Sequence, residues 1–487
     1  MATTSKTKQL AIDTILFGIS TFGSKILVLL LTPLYTAVLL TAEYGVADLI
    51  NTTVNLIYPV MTLAITDATL RYALDKNCSK QAVLGNSLVI TLLSWVLLLA
   101  CYPVMTAIDS EITAQLSKYW GYFTATYGMY NLHLCFANFI KGIGKTKLFA
   151  IQGILQTVTV FGCNIYFLLI AKTGLQGYLL STIIGLTVPT ILMFFAGGIA
   201  QYIFPIKVDR KLMGEMLKYS FPVIPTLLAW SINMYLNKYM LIGLLPEGEG
   251  LSASGIFSVA NKIPSILTAV LSVFTQAWQL SAIANVNDSD ESAYYTKIYG
   301  MLHTVSLIGC LLIIPFSKIV SVILFDASYY LAWQLIPFLT ISAFFSCLHS
   351  FLAAAVRAYK KTGQMFISVA VGAVVNIFLN LALIKIMGVM GAAIATAMSF
   401  LITWAVRMKT VQRLVKVKIR VVPTMVAYVL TIVGCLLISF DVPCAYIFYI
   451  AACTVIAILN RNEIKGLCVV AMAAIKKMIH NKQKTER

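Results

Sequence analysis

Apolar runs of about twenty residues recur along the chain, from Leu10 to about Leu459, each closed by a short polar turn. A run of that length, rising about 1.5 Å per helical residue, matches a hydrocarbon layer of about 30 Å. The pattern predicts fourteen spans, at 10–40, 44–69, 83–107, 115–139, 147–171, 175–204, 219–245, 252–283, 294–325, 331–356, 363–386, 389–408, 421–440 and 443–460. The fold class is therefore all-α, a polytopic membrane protein. The connecting loops are too short to hold a soluble domain, so any chemistry falls inside the membrane. The polar start MATTSKTKQL precedes an apolar run too long for a signal-peptide core and reads as a retained first span.

The chain repeats itself. Glu43–Leu56 aligns with Ala253–Ile266 at an offset of 210, which superposes Gly45 on Gly255 and Asn51 on Asn261. Gly144–Ile165 aligns with Lys360–Leu381 at an offset of 216, pairing Thr146 with Thr362 and Asn164 with Asn380. Spans 1–6 thus match spans 7–12. Six is even, so the halves share one orientation, an arrangement found in transporters with the substrate path between the repeats. The division expected is an N-lobe at 1–206, a C-lobe at 207–412, two further helices at 413–462 and a basic tail at 463–487.

Polar positions inside the spans form stripes. Asp48, Asn51, Thr52, Asn55, Thr62 and Thr66 in the second span, and Ser254, Ser258, Asn261, Lys262, Ser265, Thr268, Ser272 and Gln276 in the eighth, recur mostly at steps of three and four, which put each set on one helical face. The seventh adds Ser231, Asn233, Tyr235, Asn237 and Lys238. Isolated Ser or Thr residues in a span usually tie helices together, whereas long stripes in equivalent helices of both halves predict a hydrated cavity. Lys25 sits near the middle of the first span, about 22 Å from either end, which its side chain cannot reach. Lys238 and Lys262 lie about 10–15 Å inside theirs.

Charge sharpens this picture. The seventh to twelfth spans contain lysines but no Asp or Glu, while Asp13, Asp48 and Asp67 lie in the first two spans. Desolvated ammonium groups attract phosphates and carboxylates, so the expected cargo is anionic, with Lys25, Lys238, Lys262 and Arg71 as its cationic site. Asn51, Asn55, Asn233, Asn237, Ser258 and Asn261 are the expected polar lining. The net charge of +18 does not indicate nucleic acid. Basic clusters fill alternate loops (71–80, 141–147, 207–218, 357–361, 407–420), while Glu43, Asp109, Glu111, Glu247, Glu249 and Asp326 occupy the others. That asymmetry places both termini in the cytoplasm. Ten scattered cysteines without a CxxC pattern read as small core residues. His133, His303 and His349 read as satisfied polar residues rather than metal ligands, and no metal is expected. GIGKT at Gly142–Thr146 has Phe139 where a phosphate-binding loop needs its first glycine, so it reads as a basic turn.

Pro33–Ile50 (PLYTAVLLTAEYGVADLI), Thr66–Asp75 (TDATLRYALD) and NKYMLIGLL followed by SGIFSVANKIPSIL resemble polysaccharide-biosynthesis flippases of the multidrug/oligosaccharidyl-lipid/polysaccharide superfamily. The resemblance extends over essentially the whole chain. It implies two six-helix lobes forming a V in a bacterial inner membrane, and no enzyme activity. The implied cargo is an O-antigen or other surface-polysaccharide unit on undecaprenyl pyrophosphate, moved from the cytoplasmic to the periplasmic leaflet by alternating access. Trp230, Tyr235 and Trp278 would stack on sugars, and helices 13 and 14 would guide the lipid tail. Relatives often have Asp-Arg where this chain has Asn237-Lys238. No cofactor is implied; coupling to a proton or sodium gradient would use Asp13, Asp48 or Asp67. A monomer working beside a polymerase and glycosyltransferases is expected. The alternatives are a lipid II-type flippase and an ion-coupled drug antiporter. Lys25→Ala is expected to abolish surface polysaccharide while the protein still inserts, with Lys25→Arg partly active; normal glycan display in Lys25→Ala would refute a role for that charge.

Overall fold

The computed structural model describes Leu27 and residues 29–284, 291–359, 362–461 and 463–465. Lys25 and Asp13 lie outside the described residues. Eight of the described helices are long and apolar enough to cross a bilayer, or ten if each of two bent pairs counts as one span. The N-lobe contains α1 (Thr32–Val38), α2 (Thr41–Met61), α3 (Ile65–Leu74), α4 (Lys80–Ala100), α5 (Tyr102–Ala107), α6 (Glu111–Lys118), α7 (Trp120–Gly142), α8 (Thr146–Asn164), α9 (Gly174–Ala196) and α10 (Ala200–Ile203). A linker helix, α11 (Arg210–Ser220), leads to α12 (Ile224–Leu244), α13 (Glu249–Ala260), α14 (Lys262–Ala284), α15 (Glu291–Leu324), α16 (Ala332–Ala358), α17 (Thr362–Met387) and α18 (Val389–Gln412) of the C-lobe. The last two are α19 (Val421–Ser439) and α20 (Ala445–Leu459). At 15 residues, α20 is short for a span, and the unbroken helices α7 and α12 are made less apolar by Asn131, His133 and Asn138 and by Asn233, Asn237 and Lys238.

Both repeat-equivalent spans are broken. The second bends by 64° between α2 and α3, and the eighth by 41° between α13 and α14. The first break runs through Leu63 and Ala64, whose φ angles of 52° and 50° are left-handed. Those angles cost L-residues about 1–2 kcal/mol each. Without a glycine there, and with Pro59 accommodated inside α2, the sequence reads as one helix. Consequently Thr66, Asp67 and Arg71 leave the axis that carries Asp48, Asn51 and Asn55. α15 starts at Glu291, three residues ahead of the span predicted there, which brings a buried carboxylate to the helix end, where it accepts from the Tyr359 hydroxyl at 2.6 Å.

The turns sort into an acidic end (Glu43, Glu111, Glu247, Glu249, Asp326) and a basic end. At the acidic end the lobes are sealed together. Gly45 of α2 crosses Gly255 of α13 so closely that a methyl group on Gly45 would collide with the Leu251 carbonyl, and one on Gly255 with the Thr41 carbonyl. Each contact is the other shifted by 210 positions, so the crossing lies on the pseudo-twofold axis of the repeat. Around it the Tyr329 hydroxyl donates to the Leu39 carbonyl at 3.0 Å, the Asp326 N–H to Thr36 Oγ1 at 3.2 Å, and the Gly248 N–H to Glu111 Oε1 at 3.0 Å. The N–H and O–H of Ser328 hold the Asp326 carboxyl below its ordinary value, which keeps this rim anionic. At the basic end α11 is tied to the N-lobe, with Tyr72 Oη donating to the Glu215 carbonyl at 3.2 Å. Next to it Leu63, Leu217, Lys218, Phe221 and Pro222 line an opening of about 500 Å³.

Candidate functional site

The seam between the lobes is also where Asp48, Lys238 and Lys262 come together. One turn below Gly45, Asp48 Oδ2 forms an ion pair with Lys238 Nζ at 2.6 Å, with the lysine side chain 9% and the aspartate 18% exposed. The pair joins α2 of the N-lobe to α12 of the C-lobe. Beside it Thr53 Oγ1 and Tyr239 Oη are 2.8 Å apart, a second tie between the same helices. Desolvating both charges costs several kcal/mol, which their attraction largely offsets; removing one partner would cost about 3–5 kcal/mol. Asp48, expected as an ion-coupling group, and Lys238, expected as a cargo-binding group, are therefore partners in this state.

Lys262 begins α14 immediately after the break at Asn261. Its Nζ lies 5.9 Å from the centre of the Tyr44 ring, one turn from Asp48. Among the described residues no carboxylate lies within ion-pair distance of it. Tyr44 belongs to a cluster under the acidic rim, tilted against Tyr35 and packed edge to face with Tyr178 and Tyr329. Two C-lobe lysines thus converge on one turn of α2, one neutralised by an acid and the other held over an aromatic face. A cation on such a face is stabilised by about 0.5–2 kcal/mol, too little to replace an anionic partner.

Beyond the lysines the C-lobe contains a cavity of about 400 Å³, within the range of about 300–1,000 Å³ usual for small-ligand sites. Trp230, Asn233, Tyr235, Asn237 and Asn261 line it, with Ser265, Thr268 and Ser272 of α14. Those three hydroxyls donate to carbonyls three residues earlier, leaving oxygen lone pairs for a ligand's hydroxyls. Two of the amides are already committed. Asn237 Nδ2 donates to Thr396 Oγ1 at 2.9 Å and its Oδ1 accepts from Asn380 at 2.6 Å. Asn233 Nδ2 donates to the Val369 carbonyl at 3.0 Å. They fix the cavity wall, and Asn261, which is exposed, is the amide left available.

The other expected residues fall elsewhere. Asn51 and Asn55 bond back along α2, and Asn55 Oδ1 accepts from Tyr130 at 3.0 Å, so both serve the N-lobe wall. Ser258 is buried in α13 with no partner for its hydroxyl. Asp67 is half-buried and Arg71 exposed, and no ion pair joins them despite their i, i+4 spacing. Trp278 does not face a cavity: it is buried, stacked on Phe351 at 4.5 Å, and donates to the Phe351 carbonyl. His133 bonds Thr190 at 3.2 Å, but His303 Nε2 and both ring nitrogens of His349 are buried without a partner, unlike the satisfied histidines expected. Tyr44, Thr53 and Tyr239 were not legible as site residues, although the superposition of Gly45 on Gly255 marks the crossing they surround.

A family model for polysaccharide biosynthesis proteins matches residues 10–279. Among solved structures the chain is similar to a lipid II flippase MurJ in an inward closed conformation, at 16% identity and a TM-score of 0.68, over 93% of this chain and 100% of that one. It is also similar to an inward-facing multidrug resistance MATE family transporter of the MOP superfamily, at 14% identity and a TM-score of 0.62, over 80% and 98%. A third, a MOP superfamily transporter from Pyrococcus furiosus described as having a binding pocket of reverse polarity, is 12% identical with a TM-score of 0.54, over 82% and 96%. At these identities the likeness shows the fold. Among curated proteins none matches.

Proposed function

Since the chain belongs to the polysaccharide biosynthesis protein family, we propose that it is a flippase for a polyprenyl-pyrophosphate-linked oligosaccharide, undecaprenyl in a bacterial inner membrane. The observation that carries this reading is the convergence of Lys238 and Lys262 on the closed seam, with an Asn/Ser/Thr cavity behind them. A pyrophosphate supplies the anion that Lys262 lacks, and sugar hydroxyls suit the cavity, where Trp230 and Tyr235 present apolar faces.

The charge distribution sets the direction. The basic end belongs in the cytoplasm, so a seam sealed at the acidic end is an inward-facing state. The head group enters from the basic end and draws Lys238 away from Asp48. That removes an inter-lobe tie at the moment the cargo is bound, so loading and unlocking are one event. The Gly45–Gly255 crossing then parts, and the cargo leaves on the acidic side. Release returns Lys238 to Asp48, which resets the seam. In this scheme Asp48 is the internal competitor of the cargo, and Asp67, with Asp13, remains the candidate proton or sodium site. The O-antigen pathway is the specific cargo we favour. Expression in one strain lacking its polysaccharide-unit flippase and another lacking its lipid II flippase tests this. Restored glycan display in the first alone is expected; rescue of the second alone, or drug resistance without either, would replace the reading.

A further inference from the structure

The basic end contains a second cavity, of about 500 Å³, between α15, the segment leading into α19, and the residues after α20. It belongs to neither the seam nor the C-lobe cavity. Lys297, Lys418 and Arg420, all exposed, line it together with Glu463. Arg420 Nη1 reaches Glu463 Oε1 at 3.4 Å, while Glu463 Oε2 is buried with no hydrogen-bond partner. His303, only 6% exposed, lines the floor with its Nε2 equally unpartnered. Met301, Ile419 and Pro423 supply apolar wall. Outward along the same helices, Val305, Ile308 and Leu312 of α15 and Val422, Met425 and Val429 of α19 are exposed apolar side chains that require lipid around them.

We propose that this cavity binds the head group of an amine-bearing phospholipid from the leaflet at the basic end. Three cations fit a phosphodiester. A plain anion would not use Glu463, whose free oxygen would repel it, whereas a primary ammonium next to the phosphate gives that oxygen its partner. His303 Nε2 is placed to accept from the same ammonium or donate to a glycerol oxygen. The apolar wall takes the first carbons of the acyl chains. A lipid held there would wedge α19 and α20 against α15, and so mount the two terminal helices on the C-lobe. This inference is independent of what the central cavity carries.

The test is lipid binding to the purified full chain, by native mass spectrometry and by thermal stabilisation, with phosphatidylethanolamine, phosphatidylglycerol and phosphatidylcholine compared. Phosphatidylethanolamine is expected to bind best, and glycerophosphoethanolamine, which has no chains, to compete poorly. Glu463→Gln should weaken phosphatidylethanolamine about tenfold while leaving phosphatidylglycerol equal or tighter. Lys297→Gln/Lys418→Gln should weaken all three, and Lys409→Gln, outside the cavity, none. Equal binding of the three lipids, a preference for phosphatidylglycerol in the unaltered chain, full competition by glycerophosphoethanolamine, or no effect of Glu463→Gln would each overturn the proposal.

Discussion

Lys238→Gln abolishes transport, whereas Asp48→Asn tightens binding of a polyprenyl pyrophosphate and slows its release: these opposite outcomes are expected if one lysine alternates between an internal acid and the cargo. With the seam closed, Lys238 Nζ and Asp48 Oδ2 form an ion pair at 2.6 Å, so a pyrophosphate bound by this lysine must displace a half-buried carboxylate. Neutralising the aspartate removes that competitor, and by the usual worth of a charge-assisted hydrogen bond affinity should rise about tenfold. Neutralising the lysine removes the attraction and strands Asp48, costing about 3–5 kcal/mol locally. A strut that only held the lobes together would behave otherwise, because either variant would break it alike. Isothermal titration of both variants with a short-chain polyprenyl pyrophosphate separates the cases, and equal loss of affinity in both would show that Lys238 is structural.

Gly45→Ala and Gly255→Ala should each prevent the seam from closing, and to the same extent. In either case the added methyl would meet a carbonyl of the opposite helix, Leu251 in one and Thr41 in the other. Neither carbonyl can withdraw without moving its helix. Overpacking of this kind costs about 1–3 kcal/mol, a shift of about five- to 150-fold toward states open at the acidic end. The readout is labelling of a cysteine at Thr53 by a membrane-impermeant thiol reagent from the acidic side. Labelling should rise in both glycine variants, and transport should fall because the cargo site no longer faces its source. Unchanged labelling in both would mean that the crossing is not the gate. An effect in one alone would mean that the pseudo-twofold axis does not govern it.

Much of this architecture is legible in the sequence because its causes are local or periodic. Apolar run length marks the spans, and the offset of 210 superposes Gly45 on Gly255. What the alignment cannot show is that the two superposed glycines touch, since a repeat can be related by an axis far from either copy. The Asp48–Lys238 pair is hidden for a similar reason: 190 positions separate its members, and each alone reads as an unpaired charge in a span. The break at Leu63 and Ala64 has no sequence mark, since neither residue favours a left-handed φ and the bend is imposed by packing. Trp278 shows the converse, an aromatic residue whose type suits a sugar site but whose neighbours, Phe351 and Tyr295, make it core. The stripe on α14 reads well because its hydroxyls recur at helical spacing, and Ser265, Thr268 and Ser272 do face the C-lobe cavity.

The most direct test of the account is translocation by the purified chain alone. Liposomes carrying an undecaprenyl-pyrophosphate-linked oligosaccharide in both leaflets are treated with an impermeant glycosidase, so that only sugar reaching the outer face is cleaved. With the unaltered protein nearly all of the oligosaccharide should become accessible. With Lys238→Gln/Lys262→Gln cleavage should stop at the outer-leaflet half, as in protein-free liposomes. Cleavage by the unaltered protein that also stops at half, or full cleavage with the double variant, would contradict a cationic seam that carries the pyrophosphate.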